Sequence, residues 1–169
     1  MNYEGQICRG PMERSSYMLP VAVGCSYNRC KFCTLFRHLK YRELPMEQIE
    51  AELERVRSLG GNPKHVFLGD GNAFGLATKR LLEITDLIHR YFPGCQAINM
   101  DGTITNIQAK SREELLALRK AGICHLYLGI ESGLDDVLRY MGKDHNLDQA
   151  YRQIDRIQRA GFMFDAHIM

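Results

Sequence analysis

The sequence lacks the features that mark several broad classes of protein. Its apolar runs are too short to cross a membrane, and a formal net charge of only +2 over 169 residues favours no particular partner. No low-complexity segment or domain linker interrupts the chain, so we expect one globular domain. The first residues, Met1 to Gln6, are polar and do not form a secretory signal.

Cysteine is too sparse for a disulfide scaffold. The chain has six cysteines, whereas small secreted proteins held together by disulfides are much denser in this residue. Three of the six fall within the nine residues Cys25–Cys33. Such clustering is typical of metal or redox chemistry in a reducing compartment. We therefore expect a cytoplasmic protein.

Strand and helix patterns alternate along the chain. Apolar residues at helical spacing separate short apolar runs, which predict strands at 17–23, 66–68, 97–100, 126–130 and from 162 onward. This alternation predicts an α/β fold in which helices cover a parallel sheet. We divide the chain into an irregular lead-in, residues 1–16, and a core, residues 17–169, with about four and a half βα units.

Polar or cysteine residues follow each of the first four predicted strands. Ligands of parallel sheets bind at the carboxyl ends of the strands, so we expect these groups to converge on one pocket. They are Cys25 after the first strand, Gly69-Asp70-Gly71 after the second, Asp101 after the third, and Glu131-Ser132 after the fourth.

The clustered cysteines offer three soft ligands. Thiolates suit iron–sulfur clusters, zinc or copper(I), and both zinc and iron–sulfur sites usually take four protein ligands. Cys25, Cys30 and Cys33 therefore leave one position that is open for chemistry or is filled from a distance. In a zinc site, Cys8 or His38 would be the fourth ligand.

This loop, with Phe32 directly before its last cysteine, resembles the cluster loop of the radical S-adenosylmethionine (radical SAM) enzymes. Its spacing is C-x4-C-x2-C, one residue longer than the commonest spacing in that family. Residues 128–138 are similar to the fourth-strand segment of a subgroup that includes the methylthiotransferases, the oxygen-independent coproporphyrinogen oxidase and the Elp3-type proteins.

The resemblance implies a partial (βα) barrel of six units, of which residues 17–169 would be a C-terminally incomplete core. It implies that Cys25, Cys30 and Cys33 hold a [4Fe–4S] cluster and that S-adenosylmethionine chelates the fourth iron. The residues that we expect at the cofactor are Phe32, Gly69, Asp70, Gly71, Asn99, Glu131 and Ser132.

Each of these cofactor residues has a chemical rationale. Glycines let the backbone approach a ligand closely, and Asp70 beside two glycines suits the ammonium group of the cofactor. Glu131 can accept two hydroxyl hydrogen bonds from a ribose, and Ser132 could serve there or at the carboxylate. Asn99 ends the third strand, where the cofactor or a substrate is within reach. No catalytic residue can be named.

The implied reaction is reductive cleavage of S-adenosylmethionine. One electron, from a reductant such as a flavodoxin or ferredoxin, gives methionine and a 5′-deoxyadenosyl radical that removes hydrogen from an unknown substrate. A basic stretch with interleaved aromatics, residues 29–42, could contact that donor, an anionic substrate or RNA. Two readings stay open beside this one: a non-enzymatic zinc or iron–sulfur module, and a catalytically incomplete fragment.

Overall fold

The computed structural model describes Glu4 and residues 6–169. Most of the polar stretch from Met1 to Gln6, from which we expected no secretory signal, therefore lies outside the described residues. The strands are β1 Tyr17–Pro20, β2 Ala22–Val23, β3 Arg42–Glu43, β4 His65–Gly69, β5 Ala97–Gly102, β6 Ile123–Glu131 and β7 Met163–Ile168. The helices are α1 Met46–Ser58, α2 Thr78–Tyr91, α3 Ile104–Gln108, α4 Arg112–Lys120, α5 Asp135–Met141 and α6 Leu147–Arg159.

Five strands form one parallel sheet, in the order β1-β4-β5-β6-β7. The predicted α/β class is confirmed. Neighbouring strands of the sheet are joined by helical crossovers, as parallel pairing requires. Within the described residues β1 and β7 are free edges, so the sheet is an open, partial barrel rather than a closed one. No helix in this part of the chain combines the length and apolar character needed to cross a bilayer.

The predicted first strand, residues 17–23, is in fact two separate strands. β1 ends at Pro20, because proline has no amide hydrogen to continue a ladder. After Val21 the chain enters β2, which pairs antiparallel with β3: Ala22 lies opposite Glu43, and Val23 opposite Arg42. This short ribbon closes the base of the loop that carries the three clustered cysteines.

The two faces of the sheet differ sharply in chemistry. On β6, Leu126 and Leu128 are fully buried in the apolar core, and the buried apolar residues of α1, α2, α4 and α6 belong to the same core. The alternate residues, such as Tyr127 and Gly129, point to the other face because successive side chains of a strand alternate. We call that second side the inner face, and it carries the polar side chains described below.

Local sequence signals placed most of the helices correctly. The sequence Ser111-Arg112-Glu113-Glu114 has the spacing of a capping box and forms one: the Ser111 hydroxyl accepts a hydrogen bond from the Glu114 amide at 3.2 Å, and Glu114 accepts one from the Ser111 amide at 2.7 Å. The sequence pattern did not reveal α3. This helix has only five residues, and its capping box joins Thr103 and Asn106.

The lead-in, expected to be irregular, packs against the inner face where it is described. Residues Pro11–Glu13 form a turn of 3-10 helix, and the side chain of Glu13 is buried. At Gly10, a Cβ atom would lie 3.0 Å from a ring carbon of Tyr127. The lead-in therefore covers part of the sheet and adds residues to its inner face.

Candidate functional site

The carboxyl ends of the strands border one open cleft. The loop after β2 contributes Cys25, Cys30 and Cys33 to its lining, and the loop after β4 contributes Gly69-Asp70-Gly71. The ends of β5 and β6 contribute Asp101 and Glu131. The structure thus brings together residues that are far apart in the sequence, as the strand-end rule predicts.

The cysteine loop is anchored at both its ends and its middle. Tyr27 donates a hydrogen bond to the Gly142 carbonyl at 2.7 Å, and the Lys31 amide donates to the Met141 carbonyl at 2.8 Å. The Arg37 guanidinium donates to the carbonyls of Cys30 and Cys33. All three thiols are free and partly exposed to the cleft. Burial raises the pKa of the Cys25 and Cys30 thiols, so metal binding there would release protons.

Asn72 connects the cysteine loop to the neighbouring segments. Its Oδ1 accepts hydrogen bonds from the Ser26 amide at 3.2 Å and the Ser26 hydroxyl at 3.0 Å, and its Nδ2 donates to Asn106 Oδ1 at 3.0 Å. Asn72 is buried, and its amide has both a donor and an acceptor satisfied. Asn72 was not among the predicted site residues, although it directly follows Gly71 in a segment that was predicted to reach the cleft.

Gly71 lets two backbone segments approach closely. Its φ is +55°, and a Cβ atom there would lie 2.2 Å from the Gly24 carbonyl oxygen and 2.8 Å from Cys25 Cα. Both neighbours are backbone atoms, which cannot rotate aside. Glycine at this position is therefore required for the loop after β4 to pack against the cysteine loop.

Glu131 and Lys143 form a buried ion pair at the other side of the cleft. Lys143 Nζ lies 3.2 Å from Glu131 Oε1, and both side chains are at most 10% exposed. The same ammonium lies 5.9 Å from the centroid of the Phe32 ring. Glycine at 129 leaves room for the pair, because a Cβ atom there would lie 2.6 Å from Glu131 Oε1. In the sequence, Lys143 belongs to Met141-Gly142-Lys143, a segment that continues the resemblance of residues 128–138 to the radical SAM subgroup.

Two carboxylates without cationic partners lie at the ends of β4 and β5. Burial, together with the smaller effects of the charges of Asp70 and Glu13, raises the pKa of Asp101 to about 7. Burial also raises the pKa of Asp70. A cationic group bound beside these carboxylates would lower both pKa values again.

The raised pKa of Asp101 should make the stability of the cluster-free protein depend on pH. Between about pH 4 and pH 7 the folded state holds a proton that the unfolded state has released, so stability falls as pH rises through that window. We expect Asp101→Asn to be more stable than the wild type by about 2 kcal/mol near pH 8 and nearly equal to it near pH 4. Urea denaturation at the two pH values measures the difference. The exposed Asp136→Asn variant is the control, and a difference for Asp101→Asn that does not change with pH would contradict the expectation.

The donor set suits a cluster better than a single metal ion. Among the described residues, no three His, Cys, Asp or Glu side chains are arranged to hold one ion. The thiols of Cys25, Cys30 and Cys33 nevertheless line one cleft. A single zinc ion needs its sulfur ligands within about 2.3 Å, while each thiolate of an iron–sulfur cluster binds a different iron. Cys8 and His38 are the two candidates for the fourth ligand of a zinc site. Cys8 lines the cleft, and His38 does not.

Two residues predicted at the cofactor, Asn99 and Ser132, do not line the cleft. Asn99 lies two residues before Asp101 on the same face of β5. Its Nδ2 donates a hydrogen bond to Glu13 Oε1 at 2.7 Å, below the cleft. Ser132 does not line the cleft, and its hydroxyl accepts a hydrogen bond from the Leu134 amide at 3.2 Å, just before α5. Strand position alone could not separate these residues from those that reach the cleft.

Residues 19–168 match the family model described as the Radical SAM superfamily. The heme chaperone HemW of Bacillus subtilis is 25% identical over 140 residues, which are 82% of this chain and 36% of that protein. The threonylcarbamoyladenosine tRNA methylthiotransferase MtaB of Thermotoga maritima is 26% identical over 154 residues, which cover 86% and 34% of the two chains. The chain thus spans about a third of the length of these curated relatives.

Solved structures share the fold at lower identity. The cobalamin-dependent S-adenosylmethionine radical enzyme OxsB, with aqua-cobalamin and S-adenosylmethionine bound, matches with a TM-score of 0.74 and 18% identity, over 91% of this chain and 24% of that one. The coproporphyrinogen III oxidase HemN of Escherichia coli matches with a TM-score of 0.68 and 14% identity, over 90% and 36% of the two chains. At such identities the likeness shows the fold alone.

Proposed function

Because the chain belongs to the radical SAM superfamily, whose enzymes use a [4Fe–4S] cluster and S-adenosylmethionine, we propose that its cleft binds both. Cys25, Cys30 and Cys33 would be the cluster ligands. The observation that carries the proposal is the presence of three free thiols, within nine residues of one loop, in one cleft. When bound, the reduced cluster would supply one electron that cleaves S-adenosylmethionine to methionine and a 5′-deoxyadenosyl radical.

The remaining cleft residues would bind and orient the cofactor. Gly69 and Gly71 present backbone without side chains, and the Asp70 carboxylate suits an ammonium group. Glu131 can accept ribose hydroxyl hydrogen bonds. Phe32 is 39% exposed and would cover the adenine or shield the cluster from water. The cofactor roles predicted for Asn99 and Ser132 have no support from their positions.

Lys143 joins this set as a residue that the sequence analysis did not assign. Its ammonium is buried between Glu131 and Phe32, and it carries a positive charge toward the thiols. The same charge lowers the pKa of Cys25 and Cys30, against the larger effect of burial. A cation at this point stabilises thiolates and can pair with the carboxylate of the cofactor.

We expect Lys143→Met to weaken binding of S-adenosylmethionine at least about tenfold, because the cofactor would lose a charge-assisted hydrogen bond in a buried site. Removing the ammonium also leaves Glu131 as a buried carboxylate without its partner. Equilibrium dialysis of the cofactor against the reconstituted protein measures the change. Lys120→Met, at an exposed position, is the matched control. Equal affinities for the two variants would remove Lys143 from the site.

Electron paramagnetic resonance tests the proposed function directly. We would reconstitute the protein with iron and sulfide under anaerobic conditions, reduce it, and record spectra with and without S-adenosylmethionine. A [4Fe–4S]⁺ signal that changes shape with the cofactor, together with release of 5′-deoxyadenosine, is the expected result. A cluster whose signal does not change when the cofactor is added would favour a catalytically incomplete fragment. Zinc bound in place of iron would favour a non-enzymatic module.

The partners of such an enzyme would be a substrate and a one-electron donor. The exposed side chains of Arg29, Lys31, Arg37 and Lys40 surround the cysteine loop, and residues 26–42 contain no acid. An acidic reductant such as a flavodoxin or ferredoxin would be attracted to this surface. The cytoplasmic location expected from the cysteines stays a prediction.

A further inference from the structure

A second cavity lies on the inner face below the cleft, where the strands begin. Its lining includes Glu13 from the lead-in, Asn99 from β5, His125 and Tyr127 from β6, and Asp165 from β7. Tyr127 also lines the cleft above, so one ring is a wall shared by the two spaces. The ring stacks on the imidazole of His125, with centroids 4.6 Å apart and planes 2° from parallel.

Glu13 is a buried carboxylate held only by neutral donors. Its Oε1 accepts hydrogen bonds from Tyr127 Oη and from Asn99 Nδ2, each at 2.7 Å, and its Oε2 accepts one from the Ser16 hydroxyl. Only 3% of the residue is exposed. Among the described residues, no lysine, arginine or histidine forms an ion pair with it. A buried charge without a counter-ion is costly unless a ligand supplies one.

Asn99 contributes an acceptor that has no donor. The residue is 8% exposed, and its Oδ1 is buried without a hydrogen-bond partner. The carboxylate of Glu13 fixes the orientation of the amide, because only Nδ2 can donate to it. Asn99 lines the cavity, and its buried acceptor without a partner calls for a ligand that donates hydrogen bonds.

The charges around both cavities have the same sign. The carboxylates of Glu13, Asp70, Asp101 and Asp165 line the two spaces. Among the described lining residues Lys143 carries the one ammonium group, and it is already paired with Glu131. Asp165 Oδ2 lies 3.1 Å from His125 Nε2, which leaves Glu13, Asp70 and Asp101 as the carboxylates that form no ion pair with a described basic residue. Their mutual repulsion contributes to the raised pKa of Asp101.

We propose that the substrate carries a primary ammonium group and that Glu13 and Asn99 bind this group in the lower cavity. The ammonium has three donors and a positive charge, which match the Asn99 Oδ1 acceptor and the Glu13 carboxylate. A substrate anchored there lies along Tyr127 toward the cleft. The inference rests on the proposed function, since it names the class of substrate for the same site.

Titration with n-butylammonium chloride tests the inference. Isothermal titration calorimetry of the reconstituted protein in its resting oxidised form should show saturable binding of n-butylammonium. Neutral n-butanol, sodium chloride and ammonium chloride should bind much more weakly, because they lack the charge, the donors or the alkyl chain beside Tyr127. We expect Glu13→Gln, which keeps the shape of the side chain, to weaken n-butylammonium binding about tenfold or more. The exposed Glu47→Gln variant is the matched control.

Each outcome decides the inference. Equal binding of n-butylammonium and n-butanol would show an apolar cavity and would overturn it. Tighter binding of ammonium or sodium ion than of n-butylammonium would show an inorganic cation site and would also overturn it. The wild-type comparison needs no variant, so it stands even if Glu13→Gln folds poorly. If the resonance signal responds to the cofactor but n-butylammonium does not bind, this inference alone is refuted. If n-butylammonium binds but the resonance signal does not respond to the cofactor, the proposed function is refuted.

Discussion

Replacing Cys30 with alanine is expected to abolish assembly of the [4Fe–4S] cluster. Cys25, Cys30 and Cys33 are the three proposed ligands and line one cleft, so the loss of one leaves too few ligands to hold the cluster. Iron and sulfide per chain, together with visible absorbance after anaerobic reconstitution, measure the loss. The fold should survive, because a half-exposed thiol contributes little to stability and such changes usually cost less than about 1 kcal/mol.

Two other cysteine variants sharpen this experiment. Cys124→Ala removes a thiol outside the cleft and should leave cluster content unchanged. Cys8→Ala removes the remaining thiol that lines the cleft, and it should also retain the cluster if Cys8 is not a ligand. Loss of metal in Cys8→Ala with zinc bound in the wild type would instead support the four-ligand zinc site. A full cluster in Cys30→Ala would refute the assignment of the three ligands.

Replacing Gly71 with alanine is expected to destabilise the protein by about 3 kcal/mol and to impair cluster assembly. The new methyl group would lie 2.2 Å from the Gly24 carbonyl oxygen and 2.8 Å from Cys25 Cα. Neither backbone atom can move without displacing the cysteine loop. The left-handed φ of +55° adds a smaller cost that any residue with a Cβ atom would meet.

Gly60→Ala separates the two contributions. Gly60 has a similar φ of +78°, but nothing lies within 4 Å of the position of its Cβ atom. We expect this variant to lose only about 1 kcal/mol, the cost of the left-handed backbone, and to assemble the cluster normally. Urea denaturation of the cluster-free proteins measures both losses. Equal losses for Gly60→Ala and Gly71→Ala would mean that the contact with the cysteine loop has no energetic role.

Local patterns in the sequence were sufficient for the elements of the fold. Apolar residues at helical spacing indicate α1 and α2, and the Ser111 capping box marks the start of α4. These signals depend on neighbours within one or two turns of the chain. The short ribbon of β2 and β3 gave no such signal, because two-residue strands are too brief to show a period.

The candidate site was predictable only in part. The strand-end rule gathered Cys25, Asp70, Asp101 and Glu131 in advance, since every parallel strand delivers its last residues to one edge. It also drew in Asn99, which lies one pleat too low to reach the cleft. Asn72 and Lys143 were not assigned, because their roles come from hydrogen bonds and an ion pair with distant segments.

The sequence by itself determined the α/β class, the order of the main elements and the family, because those follow from periodicity and from a loop whose three cysteines lie within nine residues. Only the tertiary structure decided that Lys143 pairs with Glu131 and that Gly71 packs against the cysteine loop. It alone placed Glu13, from a lead-in without any pattern, beneath Tyr127, 114 residues away in the chain. Burial and pairing across such separations depend on how the strands align, and no local pattern records that alignment.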